Sequence, residues 1–361
     1  MLARDRSERR RAGRVAAIAA LCAACLSAAA PPAAANGNPS HLKPAPSLTM
    51  QWVGDIALST QRGLPPGGLV RALAPVSGFL RGADLTTGNL EGTLSVGGAS
   101  KCGGAGSGTC FAFQAPPSIA GQLRRLGFGL VNQANNHSMD FGDSGRTQTL
   151  AALQNAGIAH TGLPGEITRL RVNGVRMAFL GFAPYSFDAN LLDIPAAQAM
   201  VRRARRRASV VVVFIHAGAE GANALHTPLG SQFYLGEDRG DARRFAHAVI
   251  DAGASIVLGS GPHVVRGVQR YRGHLIAYSL GNFVGYHTLG GGGVLSESGI
   301  LRVKLDPRGR LLAARWISIR LVDGLPRPDD SDAAARLVGR LSAEDFPSSH
   351  YRIPPDGRFV L

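Results

Sequence analysis

Apolar residues in this chain fall into short, nearly unbroken runs, each leaving through polar residues. "SLTMQWVGD" (47–55), "DLTTGNLEG" (84–92), "LVNQANNH" (130–137), "GVRMAFLGFAP" (174–184), "ASVVVVFIHAG" (208–218), "SIVLGSGPH" (255–263) and "GHLIAYSLGNF" (273–283) have strand length and strand composition. Helical segments lie between them. "PPGGLVRALAPVSGFLRGA" (65–83) predicts a helix entered through prolines. "PPSIAGQLRRLGFG" (116–129) starts with Pro and ends with Gly, "DSGRTQTLAALQNAGI" (143–158) offers an Asp or Ser cap, and "RGDARRFAHAVIDAGA" (239–254) is amphipathic. Apolar strands alternating with helices imply an α/β fold with sheets buried on both faces. "GILRVKLDPRGRLLAARWISIRLV" (299–322) alternates about a "DPRGR" turn and predicts an antiparallel hairpin. No internal repeat carries matching motifs.

The first 35 residues break this rhythm. "RDRSERRRAGR" is basic, "VAAIAALCAACLSAAA" is apolar, and Ala33-Ala34-Ala35 offers small residues for cleavage. That is the pattern of a secretory signal peptide over 1–35, and it implies an extracytoplasmic protein. An uncleaved membrane tether and a lipid anchor at Cys25 are the alternatives. Residues 36–47 read as a flexible leader, 48–322 as the folded domain and 323–361 as a Pro- and Asp-rich tail ending in a short helix and coil. Export also bears on the cysteines. Cys102 and Cys110 bracket a Gly/Ser-rich loop, and an oxidising compartment favours a disulfide between them over a metal clip or free thiols.

Charge narrows the partners. The chain carries +15, with three lysines (Lys43, Lys101, Lys304) among 39 basic residues. Residues 1–14 hold six Arg, one Asp and one Glu; taking their +4 from +15 leaves +11 for the rest. Outside the cell this argues against nucleic acid and suits an anionic polymer or surface. The run "RRARRR" (202–207) reads most simply as the solvated face of a helix.

Chemistry collects at the strand exits. In α/β sheets ligands bind beyond the carboxyl ends of the strands, and there stand Asp55, Asn89, Glu91, Asn136, His137, His216, His263 and Asn282. Each alone is an ordinary turn or cap residue. Their recurrence is the signal, because buried unpartnered polar groups cost a few kcal/mol each, on the order of 2–7. A metal ion would satisfy them, and so would a mutual hydrogen-bond network. Mixed carboxylate, amide and imidazole donors suit Mn, Fe or Zn, one or two ions. Such metals activate water and clamp phosphoryl groups.

The ordered set "GD … GNLEG … ANNHSMDFG … HAGAE … GSGPHVVRG … YSLGNF" resembles the CapA family of capsule or poly-γ-glutamate synthesis proteins, which is similar to calcineurin-like metallophosphoesterases. The resemblance implies a two-sheet α/β sandwich with the site on loops at strand ends. It implies Asp55, Glu91, Asn136, His216 and His263 as metal ligands and His137 as acid or charge stabiliser. Asp140 and Glu220 would orient the histidines or complete the ligand set, with Asn89 and Asn282 as candidates for holding substrate. Two positions depart from the pattern: Ala57 and Gly261 stand where the phosphoesterase motifs carry histidines. Two functions fit. One is a metal-dependent hydrolase or transferase acting on an anionic cell-envelope polymer or its precursor. The other is a non-catalytic polymer-binding or assembly component with a degenerate site.

Overall fold

A computed structural model describes residues 47–103 and 110–361. The signal-peptide reading over 1–35 and nearly all of the leader fall outside the described residues. Two large sheets carry the fold. The first runs in the order Leu325–Pro328, Leu311–Val322, Glu297–Leu305, Leu48–Ile56, Leu85–Leu90, Phe128–Asn132, Ala159–Thr161, and Asn282–Val284 also pairs with Leu48–Ile56. From Leu48–Ile56 towards Ala159–Thr161 the strands are parallel; towards Leu325–Pro328 they are antiparallel. The second runs Val268–Tyr271, His274–Ala277, Ile256–Ser260, Val210–His216, Val175–Phe182, Thr168–Val172. Its four inner strands are parallel and its two edges antiparallel.

Period-two alternation explains the layering. Met50, Trp52, Met177, Phe179, Val212 and Phe214, drawn from both sheets, share one buried cluster. Their strand neighbours point the other way. Val53 and Ile56 join a cluster with Leu69, Leu80 and Leu123 from the helices beside the first sheet. Val211, Val213 and Ile215 join one with Val201, Phe245 and Val249 from the helices Ile194–Arg205 and Ala242–Asp251. Each such side chain contributes roughly 1.5–3 kcal/mol when fully buried. Trp52 joins the sheets: its ring stacks on Phe214 with centroids 4.5 Å apart, and its indole N–H donates to the Gly259 carbonyl at 3.1 Å. The two-sheet α/β arrangement and the C-terminal hairpin agree with the expectation.

Three local expectations change. The helix foreseen over 65–83 is broken into Leu69–Ala72, a 3-10 turn at Ala74–Val76 and Ser77–Leu80, since Pro75 has no N–H to donate. Gly142–Asn155 begins without a side-chain cap, and Asp143 in its first turn offers negative charge to the helix N-terminus instead. The run 273–283 is two strands: His274–Ala277 lies in the second sheet and Asn282–Val284 in the first. The crossing needs glycine, because a Cβ on Gly54 would lie 1.7 Å from the Gly281 carbonyl oxygen.

Two further segments add detail. Arg202, Arg203, Arg205, Arg206 and Arg207 are exposed at the end of Ile194–Arg205, where cations suit the helix dipole. Beyond residue 322, Leu325–Pro328 pairs with Leu311–Val322, and Val338, Leu341, Tyr351 and Ile353 enter the core between the sheets.

Candidate metal centre

Strand register brings the polar exits together. Asp55 lies opposite Asn89 on one side and Asn282 on the other, Asn89 lies opposite Asn132, and Ser260 opposite His216. The side chains then interlock. The Asn89 amide donates to Asp55 Oδ1 at 2.8 Å and lies 3.2 Å from His216 Nδ1, while its oxygen accepts from Asn132 (2.9 Å) and Asn135 (3.2 Å). His263 Nδ1 stands 3.2 Å from Asp55 Oδ2 and 3.0 Å from Asn282 Oδ1. Asp55, Asn89, Glu91 and Asn132 are wholly shielded from solvent. His263 has φ +60°, a conformation unusual outside glycine that costs of order 1–3 kcal/mol and collects at functional sites.

Glu91 sits at the focus of this arrangement. Its Oε1 lies 3.7 Å from His216 Nε2, 3.7 Å from His263 Nε2 and 4.0 Å from His137 Nε2. Among the described residues, neither Glu91 oxygen has a hydrogen-bond partner, nor do His216 Nε2 and Asn136 Oδ1. Such atoms, buried without partners, suit a cation better than a closed hydrogen-bond network. Ligand atoms of Asp55, Glu91 and His263 all lie within 4.8 Å of one another, so this cluster could hold a metal.

The electrostatics follow from the burial. Burial, reinforced by the Asp55 charge, pushes the Glu91 carboxyl well above its ordinary value. Burial would also raise Asp55, but the hydrogen bond and charge of His263, with His216 and Asn89 behind them, hold it below the usual carboxylate range. Burial pushes His216 down to about 3, which keeps the imidazole neutral. For His263 burial acts downward too, yet Glu91, Asp55 and Glu220 outweigh it and raise the imidazole to about 10.

His137 is held from the opposite side. Its Nδ1 lies 2.8 Å from Asp140 Oδ2, whose other oxygen meets the Lys101 ammonium at 2.7 Å. The Phe113 ring packs tilted against the imidazole, with centroids 4.4 Å apart. Burial holds the His137 imidazole below its ordinary value despite the Asp140 charge. Lys101 adjoins a disulfide between Cys102 and Cys110, whose Cα atoms are 5.7 Å apart, so the pairing favoured in the sequence is present. Glu220 accepts from Arg239 Nη1 at 2.6 Å, and its other oxygen lies 3.6 Å from His263 Nε2. Arg266, driven down to about 9 by burial, donates to the carbonyls of Ala219 and Ala224 and ties down the loop bearing Glu220. A cleft of about 430 Å³ opens over this side of the centre, lined by Lys101, Asn136, His137, Tyr185, Glu220 and Arg239.

All ten side chains singled out in the sequence therefore meet in or beside one centre. Asn89 and Asn282, considered there for substrate, spend their polar atoms on Asp55, His216, His263 and the neighbouring asparagines. Asn132, Asn135, Ser260, Lys101 and Arg239 were missed. The two asparagines belong to the same polar run as Asn136, Ser260 to "GSGPH", and Lys101 adjoins a cysteine already noted. At Gly261, φ is +112° and a Cβ would stand 2.9 Å from the Ala217 nitrogen and 3.3 Å from His216 Nε2. Its backbone N–H instead donates to Asp55 Oδ2 at 3.3 Å. The turn is thus shaped for glycine, where a histidine would be strained.

Fold and centre together define a two-sheet α/β protein with a buried Asp–Glu–His cluster able to hold a metal. Residues 49–287 match the model of the bacterial capsule synthesis protein family PGA_cap, and the chain belongs to that family. It is 36% identical over 179 residues to the PGA biosynthesis protein CapA of Bacillus subtilis, covering 45% of this chain and 44% of that protein. It is 28% identical over 322 residues to the capsule biosynthesis protein CapA of Bacillus anthracis, covering 82% and 73% respectively. Among solved structures, the NAD nucleotidase of Haemophilus influenzae aligns with a TM-score of 0.45 at 14% identity, over 82% of this chain and 56% of that one. No helix among the described residues is long and apolar enough to cross a membrane.

Proposed function

We propose that the chain is an exported, metal-dependent hydrolase or transferase acting on an anionic cell-envelope polymer or its phosphorylated precursor. The observation that carries this reading is the unpartnered buried Glu91 carboxylate, within 3.7 Å of the equally unpartnered His216 Nε2 and grouped with Asp55 and His263, beside a cleft lined by Asn136 and His137. Asp55, Glu91, Asn136, His216 and His263 would hold Mn, Fe or Zn, one ion or two. When bound, the metal supplies Lewis-acid polarisation of a substrate oxygen and lowers the pKa of water. The remaining chemistry belongs to the chain. Asp140 holds His137 through Nδ1, which leaves Nε2 to carry a proton to or from the reacting group. Lys101 and Arg239 line the cleft where substrate would enter, Lys101 paired with Asp140 and Arg239 with Glu220 and Glu237, so an anionic substrate would have to compete for them with these carboxylates. Glu220 orients His263, while Asn89 and Asn282 orient Asp55 and His263.

A second reading, a polymer-binding or assembly component without catalysis, draws on Ala57 and on the glycine-shaped turn at Gly261. Elemental analysis of protein purified without chelator separates the two. The enzymatic reading expects stoichiometric transition metal that His216→Ala removes. Protein without bound metal, whose polymer binding is untouched by His216→Ala, would favour the assembly role.

A further inference from the structure

The pole opposite the cleft carries a charge arrangement that the centre does not use. It lies where the parallel strands begin, marked by Thr49 and His274. There the first sheet places arginine against arginine: Arg302 pairs with Arg315 across adjacent strands, and Arg315 forms a bridge with Arg358. Like charges directly opposite in a sheet lie about 4.5–5.5 Å apart at Cβ and destabilise it. Arg302 donates to Gln51 Oε1 at 3.0 Å and to the Phe79 carbonyl at 2.8 Å, neither of them a counter-charge, and burial first and then the Arg315 charge hold its guanidinium below the ordinary value.

Two adjoining clefts deepen this face. One, of about 480 Å³, is lined by Arg302, Lys304, Arg315 and Arg358; the other, of about 450 Å³, by Arg270, Arg272, Arg308 and Arg310. Leu361 lines both, and among the described residues no Asp or Glu side chain lines either. Three exposed ion pairs border them, Arg310 with Asp306, Arg272 with Asp251 and Arg358 with Asp356, at 3.2 to 3.6 Å. Among the described residues, no carboxylate pairs with Arg270, Arg308, Lys304 or Arg315.

We propose that this arginine ladder and its two clefts are a second anion-binding site, which holds a linear polycarboxylate chain at the pole away from the metal centre. An extended polyanion would neutralise the repeated like-charge contacts, each carboxylate meeting a guanidinium fork. Polymer held there would raise the local concentration of chain for the cleft at the other pole. The choice of a polycarboxylate rests on the capsule-polymer reading above; the surplus of positive charge does not.

The test is fluorescence anisotropy of labelled poly-γ-glutamate with the full chain across a salt series. Wild type should bind with steep salt dependence, and Arg315→Gln/Arg358→Gln should weaken binding about tenfold or more and reduce the log–log salt slope by about two. Because these changes relieve repulsion, the thermal midpoint should hold or rise, which separates lost binding from lost folding. Equal binding by wild type and the double variant overturns the site. So does tighter binding to anionic-lipid vesicles or duplex DNA than to poly-γ-glutamate at matched charge. His216→Ala serves as the control for the metal centre. Binding lost there but kept in the double variant would sink the arginine-ladder site and leave the cleft reading intact.

Discussion

The two sheets reach the same centre with different equipment. The first delivers carboxylates and amides, Asp55, Asn89, Glu91, Asn132 and Asn135, fully buried and largely tied to one another, with one imidazole, His137, beyond the exit of Phe128–Asn132. The second delivers imidazoles, His216 at a strand end and His263 on a strained turn, with fewer bonds holding them. Acceptors are thus fixed by one layer, and the nitrogens of His216 and His263 are brought to them by the packing of the other. The centre exists only where the layers abut, so its precision depends on contacts such as Trp52 on Phe214 and Gly259.

Cutting that join should have the largest effect. Trp52→Ala removes a fully buried indole and should cost about 3–5 kcal/mol, read by chemical denaturation, and it should loosen metal binding although no ligand has changed. Retained metal affinity in the folded variant would show that the centre does not depend on the seam. Metal removal comes next. At a hundredfold excess over its Kd, added Mn or Zn should stabilise wild type by about 2.7 kcal/mol and His216→Ala far less, as followed by thermal shift. Equal stabilisation of both would mean that His216 is not a ligand. Asn89→Ala strips partners from Asp55, Asn132 and Asn135 and should cost about 1–3 kcal/mol. A neutral result would show that the first sheet's network is not what preorganises it. The smallest effect has the opposite sign: Arg315→Gln should raise stability by a few tenths of a kcal/mol, about 0.2–1 at most. Destabilisation would refute the repulsion argued for the far pole.

How much of this was legible depended on whether the signal was local. Asp55, Glu91, His216 and His263 each follow an apolar run, and the rule that sites lie beyond strand carboxyl ends finds them without knowledge of pairing. The role of Asn89 was hidden because its four contacts come from Asp55, Asn132, Asn135 and His216, which only strand register brings together. The division of 273–283 between two sheets was hidden too. Its apolarity is continuous, and the crossing depends on the fit of Gly54 against Gly281. Lys101 carried no signal beyond its neighbouring cysteine. The arginine ladder was invisible for another reason: abundant arginine reads as composition until strands 297–305, 311–322 and residue 358 are aligned.

The place of Leu48–Ile56 in the first sheet has a consequence for how the chain matures. Its two flanks are Leu85–Leu90, which follows closely in the chain, and Glu297–Leu305, which comes near the end. The indole of Trp52 likewise waits for Gly259, 207 residues further on. As synthesis proceeds, the strand bearing Asp55 would stand with one open edge until most of the chain has emerged. Contacts so distant make folding slow. The first sheet, begun earliest, is therefore completed only after every strand of the second, from Thr168–Val172 to His274–Ala277, has been made.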